Sequence, residues 1–162
     1  MRKLIVTLCC CISMISCQDQ PTNNTDSGLT NQEVQESVPG SWIFTPSSID
    51  TARNSKGGSL PVNLNVFESS ISYAPDSNDS LYRNKKAVGL YVRGLTGGKY
   101  IISFSGSGFT AYNPKVDNVN TIERMYGQFK NADNWTGAIE NTTSRNSSKT
   151  GFTLHFTAQR KK

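Results

Sequence analysis

Leu60-Pro61-Val62-Asn63-Leu64-Asn65-Val66-Phe67 is the clearest strand pattern in this chain. Leu60, Val62, Leu64 and Val66 fall on one face and Asn63 and Asn65 on the other, a period of two that no helical register fits. Pro61 suggests an edge strand or the start of one. The same period returns downstream. Ala87 to Arg93 sets Val88, Leu90 and Val92 inward and Tyr91 and Arg93 outward; Gly97-Gly98 makes a turn, and Lys99 to Ser105 returns as the hairpin partner with Tyr100, Ile102 and Phe104 on the core face. Phe109–Tyr112, Arg124–Phe129 and Trp135–Ile139 read as short strands. In the last strand, Gly151 to Ala158, Phe152, Leu154, Phe156 and Ala158 share a face. Upstream, Ser41 to Thr45 has strand composition and Pro46 ends it. Ser47–Ser59, Lys115–Glu123 and Asn141–Thr150 read as polar connections. Seven or eight short strands with almost no helical periodicity mean an all-β sandwich or barrel, and a single small β-sandwich of seven to eight strands is expected.

The start of the chain is of another kind. Arg2 and Lys3 precede an apolar run with no acidic residue before Asp19. That run is too short to span a bilayer and is broken by Thr7, Ser13 and Ser16. Met14-Ile15-Ser16-Cys17 looks like a bacterial lipobox, in which the chain is cut just before a cysteine that carries a diacylglycerol. Cleavage there removes 16 of the 162 residues and leaves 146, one domain by length. Cys9, Cys10 and Cys11 leave with the signal and Cys17 is acylated, so the mature chain has no disulfide. Two or three acyl chains give stable anchoring, each buried methylene adding about 0.8 kcal/mol. The residue after the cysteine is Gln18, not the Asp that favours inner-membrane retention. The expected address is therefore the outer membrane, lipid-anchored, with the domain facing the periplasm.

Residues 1–16 are thus expected to be a signal peptide, 17–38 the acylated cysteine and a flexible tether, and 39–162 the folded domain. From Gln18 to Val38 the net charge is −4 and large aliphatics are few, so little apolar burial is available to offset ordering. From Pro39 onward 15 Lys and Arg stand against 8 Asp and Glu. A basic balance suits an anionic surface, but no run exceeds Arg160-Lys161-Lys162, and no nucleic-acid partner is expected.

The search for chemistry returns little. His155 is the only histidine and falls on the face opposite Phe152, Leu154 and Phe156. With no second histidine and no free cysteine, a metal site is not expected. There is no G-x-S-x-G to supply a nucleophile elbow, and no two carboxylates share a strand at a spacing for acid–base work on a sugar. Gly97-Gly98-Lys99 fails as a phosphate loop because Tyr100 stands where Ser or Thr is needed. No catalytic residue, cofactor or enzyme activity is expected. Tyr91, Arg93, Tyr126 and Trp135 form a candidate aromatic and basic surface, unless Trp135 belongs to the core.

The order of features resembles the outer-membrane lipoprotein of the type VI secretion system, the TssJ family. Pro61 to Phe67 is similar to that family's Pro-Val-led second strand, Ser80-Leu81-Tyr82 to the short apolar step after it, and Met125–Phe129 with Trp135 to its late strand, hydrophilic turn and Trp. The Asn-Pro often found before the second strand is absent here, Glu68-Ser69 replaces its Gln-Leu, and Ser105–Asn120 has no counterpart. The resemblance implies a transthyretin-like sandwich; an Ig-like one satisfies the same strand count. It also implies a non-catalytic anchor for an envelope-spanning secretion complex. The loop between the first two strands, Ser47 to Ser59, would bind a periplasmic protein partner, with Ser48, Ile49, Arg53 and Lys56 as contacts. The alternative is a free-standing surface or periplasmic lipoprotein, an adhesin, exclusion factor or inhibitor that binds a protein or glycan. Oligomeric state is not legible.

Overall fold

The computed structural model describes residues 28–52, 64–145 and 148–162. A short helix, α1 (Asn31–Ser37), is followed by eight strands: β1 (Gly40–Ala52), β2 (Phe67–Tyr73), β3 (Ala87–Leu90), β4 (Gly98–Ser105), β5 (Gly108–Tyr112), β6 (Thr121–Asn131), β7 (Asn134–Arg145) and β8 (Ser148–Arg160). Each strand pairs antiparallel with the next, and β1 pairs with β8, so the sheet closes on itself. The all-β class is as expected. The eight strands form one up-and-down barrel, however, not two stacked sheets, because β1 leaves β2 after Phe44 and runs on against β8 as far as Ala52. Closure removes the free edges that a sandwich must protect.

Eight strands leave an interior just wide enough for side chains to fill, and here aromatic rings fill it. Trp42, Phe44, Phe109, Phe129, Trp135 and Phe156 lie 5.1–6.0 Å apart between ring centroids, mostly edge to face. Val88, Leu90, Tyr100, Met125, Ile139 and Leu154 complete the core with no exposed surface. Gly127 makes room for this packing, since a Cβ there would fall 2.1 Å from the Phe109 ring. The wall's outward positions carry Ser103, Thr110, Gln128, Thr136 and Thr157. That polarity is the inverse of a membrane-spanning barrel, whose apolar band faces outward. Among the described residues no helix is long and apolar enough to cross a membrane.

The two ends are closed differently. At the lower end, where β1 begins, α1 lies across the opening with Val34 and Val38 buried. The stretch Gln18–Val38 is therefore not tether throughout. Thr30 and Glu33 form a capping box that starts the helix, and the i, i+4 valines give it an apolar edge. Arg160 holds the seam: its guanidinium sits 4.4 Å over the Trp42 ring and donates to the carbonyls of Ser37, Pro39 and Ala132 and to Asp133. At the upper end the β3–β4 connection folds over the mouth. Val92 is buried, Leu95 packs on the core, and Gly94 takes a left-handed φ of 90° against Phe152, where a side chain would collide.

Several boundaries differ from the sequence reading. Pro46 does not end the first strand. A bulge between Pro46 and Ser48 absorbs the missing N–H, and β1 continues, so Ser47 to Ala52 is strand, not loop. Leu60 to Asn63 lie outside the described residues. Leu64 and Val66 precede β2 and are 51% and 57% exposed, because β2 begins to pair only at Phe67. The polar connection expected from Asn141 to Thr150 is mostly the long β7–β8 ladder. The inward faces of β3, β4 and β8 lie as the alternation predicts, but β3 ends at Leu90 rather than Arg93 and Gly98 already pairs with it, so the connection is Tyr91–Gly97 and not a Gly97-Gly98 turn.

Candidate functional site

The upper rim of the barrel, described at the β3–β4 and β5–β6 connections and at the residues leading into β2, carries four of the five large apolar side chains exposed among the described residues. These are Leu64, Val66, Tyr91 (77%) and Val119 (97%). Their supports are rigid. Tyr91 follows β3 directly, and its carbonyl accepts from Ser69 Oγ at 3.0 Å. Val119 is the tip of a turn in which Asn118 Oδ1 accepts from the backbone N–H groups of Asn120 and Thr121, while Ser144 N–H donates to the Asn120 carbonyl at 2.6 Å. Arg124 holds the base of this turn through a two-pronged pair with Asp117. A valine aimed at water from a braced polar turn gains nothing for folding, and with Leu64, Val66 and Tyr91 it makes this the more apolar end of the barrel.

Beneath the rim lies the most deeply buried charge among the described residues. Glu123, 1% exposed, points into the barrel from β6. It accepts from Thr96 Oγ1, Tyr100 Oη, Asn113 Nδ2 (3.1 Å) and the Thr96 N–H (3.2 Å). Burial pushes the carboxyl up, but the bonds from Thr96, Tyr100 and Asn113 outweigh it and hold it below its ordinary value. Burial, and then Glu123 itself, raise Tyr100. Among the described residues, no base, nucleophile or cation is hydrogen-bonded or ion-paired to the carboxylate. It ties the β3–β4 connection, through Thr96, to the start of the β5–β6 connection, through Asn113, and so fixes two parts of the rim relative to each other.

Of the four residues expected to bind a partner, the two that are described lie in a strand and not in a loop. Ser48 is exposed on β1, and Ile49, next to it, packs against the core. Arg53, Lys56 and Cys17 lie outside the described residues. The aromatic and basic group also disperses: Trp135 is core, Tyr126 lies on the outer wall bonded to Glu140, Arg93 sits over Phe67, and only Tyr91 stands free on the rim. His155 faces outward as expected and meets Asp50 at 2.8 Å; it has no other hydrogen-bond partner among the described residues, so no serine completes a triad. No group of three His, Cys, Asp or Glu there is arranged to hold a metal.

Comparison with protein-family models, with curated proteins and with solved structures finds no match. Function is therefore read from the chemistry of these surfaces. Sequence reasoning missed the rim because it set Leu64 and Val66 inward and took Val119 for part of a polar connection. The available signal was a lone valine in an Asn-Val-Asn turn, which has no folding reason to be apolar. Glu123 was missed because a carboxylate at the end of a mostly polar run reads as surface.

Proposed function

We propose that this chain is a non-catalytic, lipid-anchored binding module of the bacterial cell envelope that holds a protein partner at the upper rim of its barrel. The observation that carries the reading is the exposed apolar set Leu64, Val66, Tyr91 and Val119 at the end opposite α1. Cys17 precedes α1 in the chain, so the lipid and the rim work from opposite ends. The filled interior supports binding outside the barrel rather than within it. Gln18 after the acylated cysteine favours the outer membrane, with the rim toward the periplasm.

The resemblance implies a specific version, in which the partner is the periplasmic end of an inner-membrane component of a type VI secretion complex. That version relied on a loop between the first two strands, and with Ser48 and Ile49 in β1 its support passes to the rim. A free-standing surface or periplasmic lipoprotein satisfies the same geometry. Replacing Tyr91 and Val119 together by Asp should leave the melting temperature unchanged and abolish co-purification of the envelope partner. An unchanged set of co-purified proteins contradicts the rim reading. Recovery of an inner-membrane secretion component supports the anchor version; recovery of an external protein supports the free-standing one.

A further inference from the structure

We propose that the outer wall of the barrel carries a second, separate binding site, for an acidic glycan. A groove of about 700 Å³ crosses the wall from β4 to β8 and reaches β1. Two cross-strand rows line it: Ser103, Thr110, Tyr126, Ala138 and His155 in one, and Ser105, Gly108, Gln128, Thr136 and Thr157 in the next. Gly108 stands in the second of these rows, so the floor there is backbone. Five hydroxyls at the groove, those of Ser47, Ser105, Thr110, Thr136 and Thr157, have no hydrogen-bond partner among the described residues. Each rotates to donate or to accept, which matches a sugar's hydroxyls, themselves both donor and acceptor. The exposed large hydrophobics, Leu64, Val66, Leu81, Tyr91 and Val119, all lie outside the groove. Its aromatic residues, Phe104, Phe109, Tyr126 and Phe156, are buried or half-buried parts of the wall, and none is among the exposed apolar side chains on which a protein partner's affinity concentrates.

The acid follows from what borders the groove. Tyr82, 5% exposed, pins the β2–β3 connection onto Ile101 and Ala87 of the outer wall and donates to the Lys99 carbonyl at 3.1 Å. Ile101 and Ser103 are successive outward residues of β4, about 7 Å apart by strand geometry. The pinned connection thus flanks the groove, and it holds a depression of about 630 Å³ lined by Arg83, Lys85 and Lys86, with Asp76 the one acid in that lining. Lys86 is engaged: it donates to Gln35 and lies 5.5 Å from the ring of Phe104, a groove residue. Lys85 has no side-chain partner among the described residues, and Arg83 spends a single N–H, on the Asn78 carbonyl. Hydroxyls flanked by uncommitted cations fit a sugar chain bearing carboxylate or sulfate groups.

The test uses the purified full-length protein in detergent, titrated with oligogalacturonate and its methyl ester, and with dextran sulfate and unsulfated dextran. The first pair reads a carboxylate and the second a sulfate. Tighter binding of the acid form in either pair, weakened by salt, is expected. Replacing Arg83 and Lys85 by Glu should lower affinity for the acid form by about tenfold, the order expected of two solvated ion pairs, and leave the neutral form's affinity alone. T136V and T157V combined should weaken both forms, with an unchanged melting temperature because Val suits a strand. Equal binding of acid and neutral forms, no effect of the charge reversals, or no binding by any of the four glycans would each overturn the proposal. None of these outcomes touches the rim reading, whose residues are untouched.

Discussion

Two residues hold the ends of this molecule through hydrogen bonds that a like-sized neutral group does not reproduce. Glu123 gathers four donors and has no counter-ion among the described residues. E123Q puts an amide where only acceptors fit, and unfolding free energy should fall by about 2 kcal/mol in urea titrations at neutral pH. The pH dependence follows from the depressed carboxyl. Its stabilisation is complete above the unfolded value of 4.5 and is lost as pH falls through the lower folded value. The difference between E123Q and the parent should therefore shrink in acid; a difference that stays constant down to about pH 3 contradicts this account of Glu123. Arg160 is the lower counterpart. R160A removes the stacking on Trp42 and leaves three carbonyls short of a donor, a loss of about 2–3 kcal/mol. R160K should recover little of it, because an ammonium lacks the planar fork. Neither role was legible in the sequence, where Glu123 read as part of a polar connection and Arg160 as part of a basic tail; both depend on neighbours distant along the chain.

At the scale of elements, α1 is the part whose removal should be felt most for its length. Tyr73, which burial pushes up to about 12, stays protonated and donates to the Gln35 carbonyl at 2.6 Å, while Val34 and Val38 seal the core beneath. T30A should cost about 1 kcal/mol through loss of the cap, and V34A about 2 kcal/mol through the cavity it leaves. Thermal melts that place both variants at the parent value would mean the helix rests on the barrel without supporting it. The capping box Thr30-x-x-Glu33 was there to be read; the acidic, polar setting masked it. Elsewhere legibility followed the chemistry. Alternation found β3, β4 and the inward face of β8, since each has one apolar face. It failed at Leu64 and Val66, where a period of two continues past the point at which β2 has a neighbour to pair with, and at Pro46, where a bulge removes the conflict that ordinarily stops a strand.

For the whole molecule, the step from sandwich to barrel turns on the pairing of β1 with β8, a contact between chain ends that no local pattern encodes. Alternating strands serve both architectures equally. Closure has a functional consequence. With its edges paired and its interior full, the barrel has only its outside to offer a partner, and the lower end is taken by α1. The upper rim is what faces away. The most direct measurement of that claim places a photo-activated cross-linking side chain singly at Tyr91, at Val119 and, as a lower-end control, at Lys130, in intact cells that make the lipidated protein. The account predicts one common protein adduct from the two rim positions and none from Lys130, lost from the rim when Cys17→Ser removes the anchor. An adduct from Lys130 with silence at both rim positions would contradict it.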